Sequence, residues 1–197
     1  MQRQGAYFGL LNAGMITYYR RKASWHHRPQ VVDLPSLYRS IIMANVTVYR
    51  TIYASLEKVW ESWDDFGNIY QFNPNLTHSH LLEDSLPKGQ GAKRQCDLND
   101  GKNWIREEVV EYIPYQQMTF NIYEGTMPLK SAKATLRFRK VMAKRTEIIM
   151  SMDFEPRMGL LGKLMLPMMK PKFTEMLNAL LEGNDAYVTQ GQVVTAA

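Results

Sequence analysis

The sequence has little cysteine: Cys96 is the single thiol among 197 residues. One cysteine excludes an internal disulfide and a thiolate metal cluster, and it is compatible with a reducing compartment. No uninterrupted apolar run reaches the roughly 18–20 residues of a membrane span, and no glycine-rich phosphate loop is found. We therefore expect a cytoplasmic protein with no integral membrane association, no metal and no other cofactor.

Acidic residues are scarce only at the beginning of the chain. Residues 1–42 contain six Lys and Arg against one acid, Asp33, whereas from Met43 onward basic and acidic residues number 18 each. The net charge of +5 therefore belongs to the first 42 residues. A neutral remainder does not indicate a phosphate-binding surface, so we expect no nucleic-acid partner.

The composition divides the chain into three parts. Residues 1–42 form a basic extension that we expect to be largely disordered; an artefactual start before Met43 is our preferred explanation, and an organelle presequence is the alternative. The whole chain is 45% hydrophobic, and residues 43–191 are long enough to form one domain with its own core. Residues 192–197 form a short tail.

Alternating apolar and polar residues, separated by turn residues, predict a mainly antiparallel α+β fold. Strands are predicted at 46–53, 76–82, 92–98, 104–113, 118–123, 132–141 and 146–154, and short helices at 56–63 and 66–72. Asp100-Gly101 predicts a tight hairpin, because this dipeptide accommodates positive φ. No helices are interleaved between the later strands, which argues against parallel βαβ units.

A long apolar pattern lies near the C-terminus, from Pro156 to Gly191. Apolar residues three and four positions apart predict one helix with a broad apolar stripe. Pro167 and Pro171 each remove a backbone hydrogen bond, so we expect a kink or break there and a regular helix over about 171–189. Residues 158–169 then form a separate apolar segment, which we interpret as a mobile lid.

This order of elements resembles the START-like superfamily, also called SRPBCC or helix-grip. The resemblance covers about residues 45–191 and rests on short fragments: Ala54 to Trp60 after the first strand, Asp65-Phe66, Asn73-Pro74, Gly89 to Gly91 with Arg94, Met127-Pro128, and Phe154-Glu155-Pro156. It is most similar to the polyketide cyclase/dehydrase and lipid-transport group. The resemblance implies a curved seven-stranded sheet around a long C-terminal helix, with a cavity that binds lipids, sterols or polyketides and sometimes catalyses their cyclisation.

A cavity for a hydrophobic molecule needs apolar walls and a few polar groups. The predicted walls are Trp60, Phe72, Trp104, Phe120, Phe138, Met150, Met152, Met165, Met169, Phe173 and Met176. Thirteen methionines are many for this length, and flexible thioethers suit a surface that adapts to varied ligands.

Polar candidates for such a cavity are Arg94, Arg106, Glu107, Glu108, Tyr112 and Tyr123. Catalytic candidates among them are Arg94, Glu108 and Tyr123. Arg94 can match Glu107 or Glu108 across a hairpin, and we expect an exposed pair of little energetic value. An inward pair is the alternative and would mark a functional cavity.

Histidine and cysteine offer little chemistry by sequence alone. His78 and His80 can share one face of a strand, but no third metal ligand lies nearby in the sequence. Cys96 has no neighbouring histidine, so we expect a small buried apolar side chain.

Three functions fit the sequence. The first is a carrier or sensor that binds a small hydrophobic ligand. The second is a cyclase or dehydratase that uses a polar residue in the same cavity, and the third is a protein-interaction module. We rank them in this order because the sequence contains no compelling pair of positioned titratable groups. The ligand's identity and the oligomeric state stay open.

Overall fold

The computed structural model describes residues 43–157 and 159–194. The predictions made for residues 1–42 and for residues 195–197 of the short tail lie outside the described residues, as does Met158.

One antiparallel sheet of seven strands forms the body of the domain. The strands are β1 (Ala44–Ile52), β2 (Leu76–Leu81), β3 (Lys93–Leu98), β4 (Trp104–Ile113), β5 (Gln117–Gly125), β6 (Leu129–Met142) and β7 (Arg145–Pro156). Their order across the sheet is β1-β7-β6-β5-β4-β3-β2, so the first and last strands pair. The sheet is curved into a half-barrel around a long helix, and the predicted helix-grip fold is confirmed.

Two short helices connect β1 to β2. Helix α1 (Leu56–Asp64) begins at Ser55, whose Oγ accepts a hydrogen bond from the Lys58 backbone N–H at 3.3 Å, and this N-cap satisfies one of the free amides of the first turn. Trp60 and Trp63 point its apolar face into the core. The second, Phe66–Gln71, is a 3₁₀ helix.

Helix α2 runs without interruption over Gly159–Gln190 and includes both prolines. The predicted break near residue 171, with a separate segment before it, is therefore wrong. Pro167 and Pro171 are both exposed. Because they lie four residues apart on the solvent-facing side, water can satisfy the carbonyls that lose their intrahelical partner.

The core lies between the inner face of the sheet and α2. In β7 the alternation predicted from sequence is confirmed, since Ile148, Met150, Met152 and Phe154 are all buried. From the helix, Leu177, Leu180 and Leu181 pack against this surface. The apolar stripe of α2 and the sheet therefore cover each other.

Polar contacts fix the second half of α2 against the rest of the domain. The fully buried Asn184 accepts a hydrogen bond from Trp63 Nε1 at 3.0 Å and donates one to Ser62 Oγ at 2.8 Å. Asp185 pairs with Arg50 of β1 at 2.9 Å. In the part of the chain that the structure describes, no helix has the length and apolar character needed to cross a membrane.

Candidate functional site

Three adjoining spaces lie between the sheet and α2. An open groove of about 680 Å³ is the outermost. An inner cavity of about 90 Å³ lies next to it, and a deep cavity of about 50 Å³ lies beyond. We call them the groove, the inner cavity and the deep cavity.

The groove lies between α2, the β3–β4 hairpin and the β5–β6 connection. Met165, Met168, Met169 and Met176 line it from the helix, and Met127 lines it from the opposite side. Asn99, Asp100 and Asn103 add polar groups at its rim. The groove is thus a methionine-rich opening with hydrogen-bonding groups at one edge.

The inner cavity continues the groove into the domain. Leu98, Met127, Phe173 and Met176 line both spaces. Asn75 also lines both, and its Nδ2 donates to the Met176 carbonyl at 2.9 Å, which ties the turn after the 3₁₀ helix to α2. These shared side chains are the boundary that a molecule entering from the groove must displace.

An ion pair lies at the deep end. Arg94 of β3 faces Glu107 of β4 across the strand pair, and Arg94 Nε donates to Glu107 Oε2 at 2.7 Å. The exposed fractions are 3% for Arg94 and 7% for Glu107. A second donor of Arg94, Nη1, bonds the Phe66 carbonyl at 3.0 Å, and its guanidinium lies 4.0 Å from the Phe66 ring centre. Burial alone lowers the pKa of Arg94, but the charge and hydrogen bonds of Glu107 outweigh it and raise this pKa above its usual value.

The two oxygens of the Glu107 carboxylate differ. Oε2 accepts from Arg94 through Nε and Nη2 and faces Cys96 Sγ at 3.8 Å. Oε1 has no hydrogen-bond partner within residues 43–157 and 159–194, yet no wholly enclosed polar side-chain atom of these residues is left without a partner. Glu107 lines both the inner and the deep cavity. Oε1 therefore retains access to this space and is free to accept a hydrogen bond.

Cys96 lies beside this pair and lines the deep cavity. Burial, the main cause, raises the pKa of its thiol to about 12. A thiol with this pKa stays protonated near neutral pH, so Cys96 is a buried donor rather than a nucleophile. The burial of Cys96 predicted from sequence is confirmed.

The structure divides the predicted wall residues into two groups. Phe120, Met150, Met152, Met165, Met169, Phe173 and Met176 line at least one of the three spaces. Trp60, Phe72, Trp104 and Phe138 line none of them. Trp60 packs edge-on against Phe138 at 5.0 Å and Phe72 against Trp63 at 5.1 Å, so these aromatics are core.

Trp104 was also predicted to line the cavity, but it lies on the other face of the sheet. Arg106 stacks over its ring at 5.0 Å and pairs with the half-exposed Glu124 at 2.8 Å. Trp104 therefore belongs to the outer face of β4, and this face also carries Arg106. The prediction that Trp104 lines the cavity is wrong.

The polar candidates separate in the same way. The expectation of an exposed ion pair is wrong, because Arg94 and Glu107 are buried on the inner face. Glu108 lies one position further along β4, opposite Lys93 and Asn121, and lines none of the three spaces. Tyr123 is 43% exposed. Of the three catalytic candidates, only Arg94 reaches the cavity.

Tyr112 also faces inward, but not into the cavity. Its hydroxyl donates to Asp64 Oδ1 at 2.6 Å, and its ring lies 5.3 Å from that of Trp60. Burial and the bond to Asp64 raise its pKa to about 12. Tyr112 thus joins α1 to β4 as a structural residue.

Sequence reasoning missed several cavity residues. Asn73 and Asn75 were not among the predicted cavity residues, but both line the inner cavity, and Asn73 Oδ1 accepts from Asn75 Nδ2 at 2.9 Å. Ile105 and Met127 were not singled out either. An asparagine pair around Pro74 in an otherwise apolar turn was the available signal.

The described residues contain no group of three or more metal-binding side chains. His78 and His80 stack on each other with ring centres 5.6 Å apart on the exposed side of β2. Because the edge strand turns them toward solvent, they take no part in the cavity.

Comparison with solved structures shows the same architecture elsewhere. A START superfamily protein from Mycobacterium smegmatis is 19% identical, with a TM-score of 0.62 over 76% of this chain and 99% of that one. The Zhui aromatase/cyclase from Streptomyces sp. R1128 is 19% identical, with a TM-score of 0.58 over 77% of this chain and 99% of that one. Truncated norcoclaurine synthase from Thalictrum flavum is 11% identical, with a TM-score of 0.59 over 76% of this chain and 95% of that one. At these identities the likeness shows the fold alone.

No curated protein sequence matches the chain. A family model, described as polyketide cyclase / dehydrase and lipid transport, matches residues 43–189. This match spans the whole sheet and nearly all of α2, including every residue of the three spaces, and the chain therefore belongs to the polyketide cyclase/dehydrase and lipid transport family.

Proposed function

We propose that the protein binds a small hydrophobic molecule that carries a hydrogen-bond donor, and that it acts as a carrier or sensor of this molecule. The apolar body of the ligand lies in the groove and the inner cavity. Its donor, such as a hydroxyl, points at Glu107. The observation that carries the proposal is the free Oε1 of a buried carboxylate at the closed end of an apolar passage.

Size and flexibility support this arrangement. Ligand sites usually measure about 300–1,000 Å³, a range that the groove reaches and the inner and deep cavities do not. Much of the ligand therefore remains in the groove while its leading end displaces side chains at the boundary. Met176 and Met127 stand at this boundary, and unbranched methionines change rotamer at low cost.

Electrostatics favour a neutral donor over an acid. A ligand carboxylate would bring a second negative charge next to Glu107 in a poorly solvated space, which is unfavourable. A hydroxyl or phenol would instead donate to Oε1 without disturbing the pair with Arg94. We therefore expect sterol-like or phenolic molecules to bind more tightly than fatty acids of similar size.

Competitive binding tests this function. An environment-sensitive apolar dye should bind the protein stoichiometrically, and a sterol or an aromatic polyketide should displace it. Met176→Trp, which fills the boundary between groove and inner cavity, should weaken displacement by about tenfold or more, as expected for a blocked hydrophobic contact. Met142→Trp, at a 61% exposed position on β6, is the matched control. Absence of dye binding, or equal behaviour of the two variants, would overturn the proposal.

A cyclase or dehydratase is the second candidate, because Glu107 is an inward carboxylate shielded from bulk water. In that role Oε1 would accept a proton from the bound substrate. We rank catalysis second because the acid that should accompany this base is not supplied by Cys96, whose thiol has a pKa of about 12. A catalytic role for Glu107 predicts that Glu107→Gln abolishes conversion of an aromatic polyketide precursor while dye binding persists.

The interaction-module alternative receives no support from the interior. A filled or collapsed interior would favour it, whereas the groove, the inner cavity and the deep cavity all contain free volume.

A further inference from the structure

The outward face of α2 changes character along its length. In the second half this face carries the exposed polar residues Glu175, Asn178 and Glu182. In the first half the same face carries Leu161, Leu164 and Met168, which are 62%, 79% and 67% exposed. Positions 161, 164 and 168 follow helical spacing and lie together on one side. We call these three residues the apolar patch.

The first half of α2 therefore carries apolar side chains on both its inner and its outer side. Its inner side contributes Leu166, Met169 and Phe173 to the core and the groove, and its outer side contributes the apolar patch. A surface helix of a globular protein normally exposes a polar face to water. Clustered exposed leucine and methionine mark a surface that another apolar phase covers.

The charges around the apolar patch indicate what kind of apolar surface covers it. From Arg157 to Thr174 the sequence contains four basic residues and no acidic one. Lys170 and Lys172 are exposed and make no ion pair with the described part of the chain. Leucines and methionines next to unpaired lysines are the composition of helices that lie in the interface of an anionic bilayer. A flexible lysine can keep its ammonium among lipid headgroups while its stem follows the apolar side chains.

The position of the patch adds a second argument. Met168 belongs to the patch and also lines the groove, as does the neighbouring Lys172. A surface lying on this part of α2 would therefore be next to the opening of the groove. We propose that the first half of α2 docks peripherally on a membrane containing anionic lipids, with the apolar patch inserted between headgroups and the groove opening toward the bilayer.

The biological reason for docking rests on the proposed function: a ligand of the groove would pass between the bilayer and the groove without crossing water. The docking residues themselves are independent of Glu107 and of the inner cavity. Failure of docking and failure of ligand binding can therefore be told apart.

Co-sedimentation with lipid vesicles tests the docking. We expect the full chain to sediment with phosphatidylcholine vesicles that contain phosphatidylglycerol and to remain in the supernatant with phosphatidylcholine alone. Leu164→Ser combined with Met168→Ser should lower the partition coefficient by about tenfold or more, because inserted apolar area drives interfacial binding.

A charge variant tests the electrostatic part. Lys170→Glu combined with Lys172→Glu should lower the partition coefficient by more than about 25-fold, since each lysine near an anionic surface contributes roughly fivefold. Lys133→Glu combined with Lys144→Glu makes the same charge change at exposed positions of β6 and of the turn after it, and should bind vesicles nearly as the unmodified chain does. All substituted positions are exposed, and circular dichroism checks that each variant is folded.

Three results with vesicles would overturn the inference: no binding to any vesicle, binding of the patch variants equal to that of the unmodified chain, or a loss of binding by the control pair as strong as that by the α2 pair. A second copy of the chain is the competing occupant of the patch. If sedimentation velocity without lipid shows a dimer that Leu164→Ser and Met168→Ser dissolve, the patch is a dimer interface and membrane docking is excluded. Dye binding measured without vesicles reports on the proposed function separately.

Discussion

Arg94 and Glu107 are direct cross-strand neighbours whose charges meet inside the domain, and only one oxygen of the carboxylate takes part in the pair. Two opposite charges in a poorly solvated core cost desolvation that apolar side chains of similar size would not. The first consequence of this arrangement concerns stability.

Removing one partner of this pair should be far more damaging than removing both. Glu107→Ala leaves a buried guanidinium without its counter-charge, and we expect the free energy of unfolding to fall by about 3–5 kcal/mol. The double variant Arg94→Met, Glu107→Leu should recover most of this loss. Urea unfolding measures each variant.

The control for this comparison is Glu108→Ala, on the neighbouring position of β4. Glu108 makes no ion pair with the described residues, so its removal should change the free energy of unfolding by less than about 0.5 kcal/mol. If Glu107→Ala lowers the free energy of unfolding no more than Glu108→Ala does, the pair does not hold its charges in a buried environment.

The double variant also tests ligand binding. If it remains folded but no longer distinguishes phenolic from non-phenolic ligands, Glu107 is the polar anchor.

The seven strands and the second half of the long helix could be predicted from the sequence because their signals are local. Alternation, turn residues and helical spacing each act within a few residues, and β7 shows the predicted set of inward side chains from Ile148 to Phe154. The orientation of β4 could not be obtained in this way. Register shifts occur between Arg106 and Glu107 and again between Val109 and Glu111. The alternation of inward and outward side chains therefore does not continue unchanged from one end of β4 to the other.

The cavity walls were only partly predictable for a related reason. Hydrophobicity indicates that a side chain is buried, but it does not indicate whether the side chain meets a neighbour or an open space. Trp60 and Phe138 are buried against each other, whereas Met150 and Met176 border the cavities. This difference depends on how the sheet curves and where α2 lies across it, which are relations between distant segments.

The pKa of Cys96 predicts a stability change at alkaline pH. In the folded protein burial raises the pKa of this thiol to about 12, whereas an unfolded chain has a cysteine pKa of about 8.5. The folded state therefore retains a proton that the unfolded state has lost. Stability due to this thiol is fully present below about pH 8.5 and falls by up to about 1.4 kcal/mol per pH unit above it.

Urea unfolding between neutral pH and about pH 10.5 measures this effect when the chain is compared with Cys96→Ala. The difference in unfolding free energy between the two proteins should change with pH in favour of the variant. A pH-independent difference would contradict the assignment. Alkylation supplies a second measurement, because native Cys96 should react at least about a hundredfold more slowly than the same thiol in urea.

The lowered pKa of Asp100 predicts that the turn at the rim of the groove loses its order at acidic pH. Its carboxylate accepts hydrogen bonds from the side chain of Asn103 at 2.6 Å and from the backbone N–H groups of Asn103 and Lys102 at 2.8 and 3.0 Å. These bonds, that of the Asn103 side chain first, lower its pKa to about 2. The turn order that depends on them is present above the unfolded pKa of about 3.9 and is lost as the pH falls toward 2.

A carboxyl-carbon NMR titration measures this pKa directly. Asn103→Ala should raise it toward the usual aspartate value, because the first cause of the shift is removed while the two backbone bonds persist. Thr77→Ala, on the exposed outer side of β2, should leave it unchanged. An Asp100 pKa that is ordinary in the unmodified protein would show that the Asp100–Asn103 turn is open in solution.

Gly183 allows α2 to approach the turn that lines the inner cavity. A methyl group at this position would overlap with the carbonyl oxygen of Phe72 and contact Pro74 at 3.4 Å. The turn that carries Asn73 and Asn75 follows directly, so a displaced helix would also change the inner cavity. Gly183→Ala should lower the free energy of unfolding by about 1–3 kcal/mol despite the better helix propensity of alanine, because overpacking outweighs it.

Asn178→Ala, exposed on the same helix, should leave stability unchanged or raise it slightly. Thermal unfolding compares the two variants, and equal melting temperatures would show that α2 does not pack on Phe72 as closely as described.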